Sequence, residues 1–114
     1  ARLSFNRTPL GQRQPPLVSD KLRRSAAGQT CTLRLSCCNG RMDTTVLAHL
    51  RMFGSAGMGS KPPDWFAVYA CHACHDALDR RDAATAGLWG YEDVLRAWFE
   101  TQRRMWAAGL ITAP

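Results

Sequence analysis

The chain has 114 residues, a size that fills one hydrophobic core but not two, so a single small domain is expected. No apolar run approaches the roughly 20 residues that cross a bilayer, and no charged-then-apolar leader is visible, which points to a soluble protein with no membrane partner. The net charge of +6 suggests a nucleic-acid partner, but it is unevenly placed.

Residues 1–24 hold Arg2, Arg7, Arg13, Lys21, Arg23 and Arg24 against Asp20 alone, so almost all of the excess charge lies there. Pro9, Gly11, Pro15 and Pro16 punctuate residues 1–20, which read as a flexible basic segment ahead of a folded domain at 21–114. Composition favours a solvated leader for that segment, with phosphate tracking by its arginines as the alternative.

Along the folded part, "TCTLRLS" at 30–36 alternates as a short strand does, and the Asn39-Gly40 pair closes it with a turn signal. "TTVLAHLRMF" at 44–53 fits strand or helix. "GSAGMGSKPP" at 54–63 is a loop, and no phosphate-cradling P-loop, because Lys61 leads into Pro62 rather than into a helix. "WFAVYA" at 65–70 reads as a buried strand.

From Cys71 a helix is expected as far as Gly87, since the segment contains good helix formers and no proline. A second helix is expected over about 91–108, with Glu92 and Asp93 in its first turn, Arg103 and Arg104 in its last, and Gly109 just beyond. Its stripe of Val94, Leu95, Trp98, Phe99, Met105 and Trp106 is assigned to the core.

Five cysteines, an odd count, include a Cys-x-x-Cys pair, which favours thiolates on a metal over a disulfide framework. Cys71 and Cys74 supply half of a tetrahedral zinc site, and Cys31 with either Cys37 or Cys38 supplies the rest. Neighbouring side chains in extended chain point opposite ways, so only one of that pair joins easily. Cys38 is preferred because Asn39-Gly40 behind it gives the tight turn of a thiolate knuckle, leaving Cys37 as a small packed residue. Such a closed four-cysteine shell is structural and does no chemistry.

His75 and Asp79 are four apart on the expected helix, so they share one face and suit a divalent ion. Local capping by His75 and pairing of Asp79 with an arginine would explain them equally well. His49, in the apolar stretch "VLAHLRM", is either a packed core histidine or a general base beside a metal-bound phosphate. His72 fills a spacer position in the knuckle and is read as passive.

The order Cys, Cys, "TTVLAHLR", a glycine-rich loop and "KPPDWFAVYACHACHDALDRR" resembles the YbcO-type prophage nucleases, a branch of the HNH (His-Me finger) endonuclease superfamily, over about residues 22–110. The resemblance implies an α+β fold: a small zinc-stapled ββα-metal (HNH-like) domain with an added C-terminal helix. It implies a metal-dependent endonuclease acting on DNA phosphodiesters in the cytoplasm of a bacterial host. His49 would match the general base and His75 a ligand of the catalytic cation, magnesium or another divalent ion, with Asp79 as a second helical ligand. Two positions depart from the pattern. Ala48 stands where many superfamily members place a metal ligand, and Phe66 stands at the middle Asn, so Asp64 is the nearest polar substitute as a cation ligand. The alternative is a zinc-stapled nucleic-acid or protein-binding module without catalysis, a reading that Ala48 favours.

Overall fold

The computed structural model describes residues 17–52 and 62–114. The basic segment up to residue 16 and most of the glycine-rich loop, Lys61 included, lie outside the described residues. The fold is α+β: a two-stranded antiparallel sheet, β1 (Val46–His49) and β2 (Ala67–Ala70), with three helices, α1 (Asp20–Ser25), α2 (His72–Leu78) and α3 (Tyr91–Ala107). The stretch at 44–53 whose assignment the sequence leaves open thus supplies a strand.

The register pairs Val46 with Ala70 and His49 with Ala67. All of β2 is buried, as its run of small and apolar residues requires when both faces are covered. On one side α3 packs against β2, while α1 covers β1. Leu33, Ala48, Leu50, Val68, Val94 and Ala97 pack around the cysteines in the larger core, and Leu22, Ala26, Tyr69 and Met105 form a second cluster beneath α1.

Helix α1 is absent from the sequence expectation, although its signals are local. The Ser19 hydroxyl accepts from the Leu22 amide at 3.2 Å, Asp20 opens the helix, and Arg23 and Arg24 close it. Residues 17–20 accordingly belong to the body: the Asp64 amide donates to the Leu17 carbonyl at 2.9 Å.

Three expected elements differ. Residues 30–36 form no strand. They wrap inward as a buried loop, with Arg34 at φ +47 and its amide directed at Cys31 Sγ from 3.5 Å. The need to present a thiolate overrides the alternating pattern. Helix α2 ends at Leu78 rather than near Gly87. Arg80 takes a left-handed φ of +56, its amide donates to the Ala77 carbonyl, and the Arg81 amide donates to the Asp76 carbonyl. These bonds form a Schellman stop with arginine in glycine's usual place, a strain of about 1 kcal/mol that the sequence does not advertise.

The third difference is the face of α3. Val94 and Met105 are buried and Trp98 is half-buried, but Leu95, Phe99 and Trp106 are exposed. The buried stripe runs through Val94, Ala97, Thr101 and Met105. Small side chains there let α3 approach β2 closely enough for the Tyr69 amide to donate to Thr101 Oγ1 at 3.1 Å.

Candidate functional site

The loop carrying Cys31 and Cys38 and the N-terminus of α2 meet at four sulfurs. The Sγ atoms of Cys31, Cys38, Cys71 and Cys74 all lie within 4.8 Å of one another. Cys38 and Cys71 are 3.7 Å apart. A tetrahedral ion with Zn–S bonds of about 2.3 Å sets its sulfurs about 3.8 Å apart, so the cluster fits zinc. Backbone amides converge on these sulfurs: Arg34 on Cys31, Cys74 on Cys71, and Gly40, at φ +69, on Cys38. The Cys71 sulfur is also the N-cap acceptor of α2, so one atom serves both the cluster and the helix start.

Cys37 stands apart, its thiol directed at the Ala73 carbonyl from 3.7 Å. Within the cluster the hydrogen bond with Cys74, aided by backbone amides, pulls Cys31 down to about 4. The same bond, then burial, pushes the Cys74 thiol up, and burial raises Cys38. Thiolates this close repel one another, so a bound cation is what would supply the charge to hold them together.

The second constellation lies where β1 meets α2. His49, from the end of β1, and His75 and Asp79, from α2 and its C-cap, line one open cleft of about 520 Å³ together with Arg23, Arg51 and Arg81. His75 Nε2 is 3.1 Å from Asp79 Oδ2, and Arg81 approaches the same oxygen at 3.2 Å. Burial, against the opposing pull of Asp79, lowers the His75 pKa and keeps its imidazole neutral. A neutral imidazole and a carboxylate four residues apart present a nitrogen and an oxygen donor to the same space.

Asp64 lies behind His49, only 1% exposed. Its Oδ1 is 2.7 Å from His49 Nε2, while Oδ2 accepts from the Ser19 amide at 2.6 Å and from Arg23 Nε at 2.9 Å. Burial alone would raise the Asp64 pKa. The Ser19 amide, His49 and Arg23 outweigh it and hold the carboxyl below its ordinary range. Both oxygens are therefore engaged by the protein.

Ala48 is fully buried in the larger core, and Phe66 packs edge-on against Trp98 with ring centroids 5.3 Å apart. His72 is exposed and pairs with Asp76 at 3.3 Å. Ser19, Arg23 and Arg81 join these contacts without being among the site residues expected from the sequence. The Ser-Asp start of α1 was available as a capping signal, whereas the contact of Arg23 with Asp64 spans 41 residues and has no local signature.

These features define a small α+β protein with a four-cysteine cluster beside a histidine–carboxylate cleft. Residues 20–110 match the family described as "Putative nuclease YbcO". The chain is 42% identical over 93 residues to the protein of that name from Escherichia coli strain K12, covering 81% of this chain and 97% of the relative. Identity and coverage are the same for the "Putative nuclease ybcO" of Enterobacteria phage 82. A solved structure described as a putative bacteriophage protein from Escherichia coli K-12 MG1655 superposes with a TM-score of 0.59 at 39% identity, covering 78% of this chain and all of that one. The chain belongs to the YbcO family of putative nucleases.

Proposed function

We propose that this protein is a divalent-cation-dependent DNA endonuclease of the HNH type, with a structural zinc on Cys31, Cys38, Cys71 and Cys74. The chain order β1, β2, α2 supports the ββα reading, with a histidine on the first strand and a histidine on the helix facing one cleft. The observation that carries the proposal is the meeting of His49 with the His75–Asp79 pair in a cleft bordered by Arg23, Arg51 and Arg81.

A carboxylate only accepts hydrogen bonds, so the contact with Asp64 puts the proton of neutral His49 on Nε2 and leaves the Nδ1 lone pair to take a proton from water. Asp64 is thus the residue that positions the base, in place of the cation-ligand role the resemblance raises for it. His75 and Asp79 would hold the divalent cation, which stabilises charge developing on the phosphate and the leaving oxygen. The arginines would orient the phosphodiester, and recognition would rest mainly on backbone charge.

Among the described residues no helix is long and apolar enough to cross a membrane. We propose the bacterial cytoplasm, where DNA is accessible, as the setting of this activity. Ala48 in the core leaves the cation with fewer protein ligands than the fuller superfamily pattern and favours a non-catalytic binding module. A crystal structure with zinc-loaded protein soaked in manganese decides the point. The nuclease reading expects anomalous density between His75 and Asp79, separate from the cysteine cluster. Its absence at saturating manganese would remove the catalytic cation from the account.

A further inference from the structure

A second open cleft, of about 530 Å³, adjoins the first and shares His49, Arg51 and Asp79 with it. Its far wall is aromatic, formed by Trp89 and Tyr91. The Trp89 indole is fixed: Nε1 donates to the Ala77 carbonyl at 3.0 Å and the Arg80 guanidinium lies over the ring at 5.2 Å. The Tyr91 ring stands 6.1 Å away, tilted by 58°, with the residue 58% exposed. Met52 and Leu78 complete an apolar floor.

We infer that this aromatic corner is a nucleobase-stacking subsite for single-stranded nucleic acid, placed beside the phosphate cleft. The inference rests on the nuclease reading for what lies next to the subsite, but not for the subsite's own chemistry. One cleft offers arginines and a histidine–carboxylate set, suited to a phosphodiester. The neighbouring cleft offers an exposed π-face and an apolar floor, suited to a base. In a duplex the bases stack on one another and their faces are closed to protein, so a stacking wall selects a strand that is single, flapped or locally unpaired. Every base has a π-face, so this selection is for strandedness and not for sequence. Arg80, lying over Trp89, places a cation where the flanking phosphate of a stacked nucleotide would pass.

The test is an affinity measurement on zinc-loaded protein with no other divalent cation supplied, using a fluorescein-labelled DNA strand of about ten nucleotides and the duplex of the same sequence. Tyr91 opens α3, where alanine is a strong helix former, so Tyr91→Ala should fold. The expected result is tighter binding of the single strand than of the duplex by wild type. Tyr91→Ala should lose roughly 5- to 100-fold in single-strand affinity with the duplex unchanged, and Tyr91→Phe should stay near wild type. Wild type that fails to prefer the single strand, a Tyr91→Ala variant that binds it as wild type does or loses both forms equally, or a Tyr91→Phe variant as weak as Tyr91→Ala would overturn the subsite. Cleavage with magnesium is scored in parallel. Unchanged affinity in Tyr91→Ala alongside intact cleavage removes the subsite alone, whereas absent cleavage with the Tyr91 effect preserved removes only the nuclease reading.

Discussion

His49 and Asp64 are joined at 2.7 Å, Nε2 to Oδ1, although His49 closes strand β1 and Asp64 lies beyond the glycine-rich stretch. The contact ties the candidate base to a carboxylate that α1 also grips through Ser19 and Arg23. Replacing Asp64 with asparagine keeps the shape but removes the charge that fixes the tautomer. Asp64→Asn should lower kcat by about 10- to 100-fold, the usual cost of losing an orienting partner, with KM nearly unchanged. Steady-state kinetics on the zinc-loaded variant checks this. A loss confined to KM would show that Asp64 shapes substrate binding and not the base.

The same carboxylate makes stability depend on pH. Its folded-state pKa is held below the unfolded value of about 3.9, so its contribution is fully present above that value and is lost as pH falls through the lowered one. Urea unfolding of wild type and Asp64→Asn from pH 5 downward should show the two curves converging toward acid. Parallel curves would mean that the Ser19, Arg23 and His49 contacts add no net stability.

For the cysteine cluster the expected outcome is a count of metal. Cys38→Ser and Cys71→Ser should lose the bound zinc and much of the stability, because a closed site of this kind couples metal binding to folding. Cys37→Ser should keep one zinc per chain, since its thiol faces the Ala73 carbonyl. Inductively coupled plasma mass spectrometry with thermal melts reads both quantities. Equal zinc loss from Cys37→Ser and Cys38→Ser contradicts the ligand set.

Helix α3 offers a packing test. Ala97→Leu, on the face against β2, should destabilise by about 1–3 kcal/mol through overpacking. Phe99→Ser, on the outer face, should stay within about 0.5 kcal/mol of wild type. Urea midpoints distinguish the two faces, and the reverse order would restore Phe99 to the core.

The cysteine spacing was legible because the two residues between Cys71 and Cys74 and the turn behind Cys38 fix geometry locally, although the full cluster joins distant segments. The shared face of His75 and Asp79 follows from their spacing of four on α2, whereas the strand-end position of His49 does not follow from the stretch 44–53, which fits strand or helix; one cleft gathers the three. What the sequence did not disclose depends on contacts between distant segments. The environment of Asp64 comes from Ser19, Arg23 and His49 converging on it. The early end of α2 comes from Arg80 accepting a left-handed conformation that sequence patterns assign to glycine. The buried face of α3 departs from the stripe of large apolar residues because close approach to β2 selects Ala97 and Thr101.

The most direct test of the central claim is single-turnover cleavage of DNA by zinc-loaded wild type, His49→Ala and His75→Ala across a magnesium series. Wild type should cut in a cation-dependent manner. His49→Ala should fall about 10²- to 10⁴-fold at every magnesium concentration, with DNA affinity and zinc content unchanged. His75→Ala should also be defective, but its cleavage should recover in part as magnesium rises, as expected for a lost ligand. No cutting by wild type at any magnesium or manganese concentration, or undiminished cutting by His49→Ala, would contradict the assignment of this cleft as a nuclease centre.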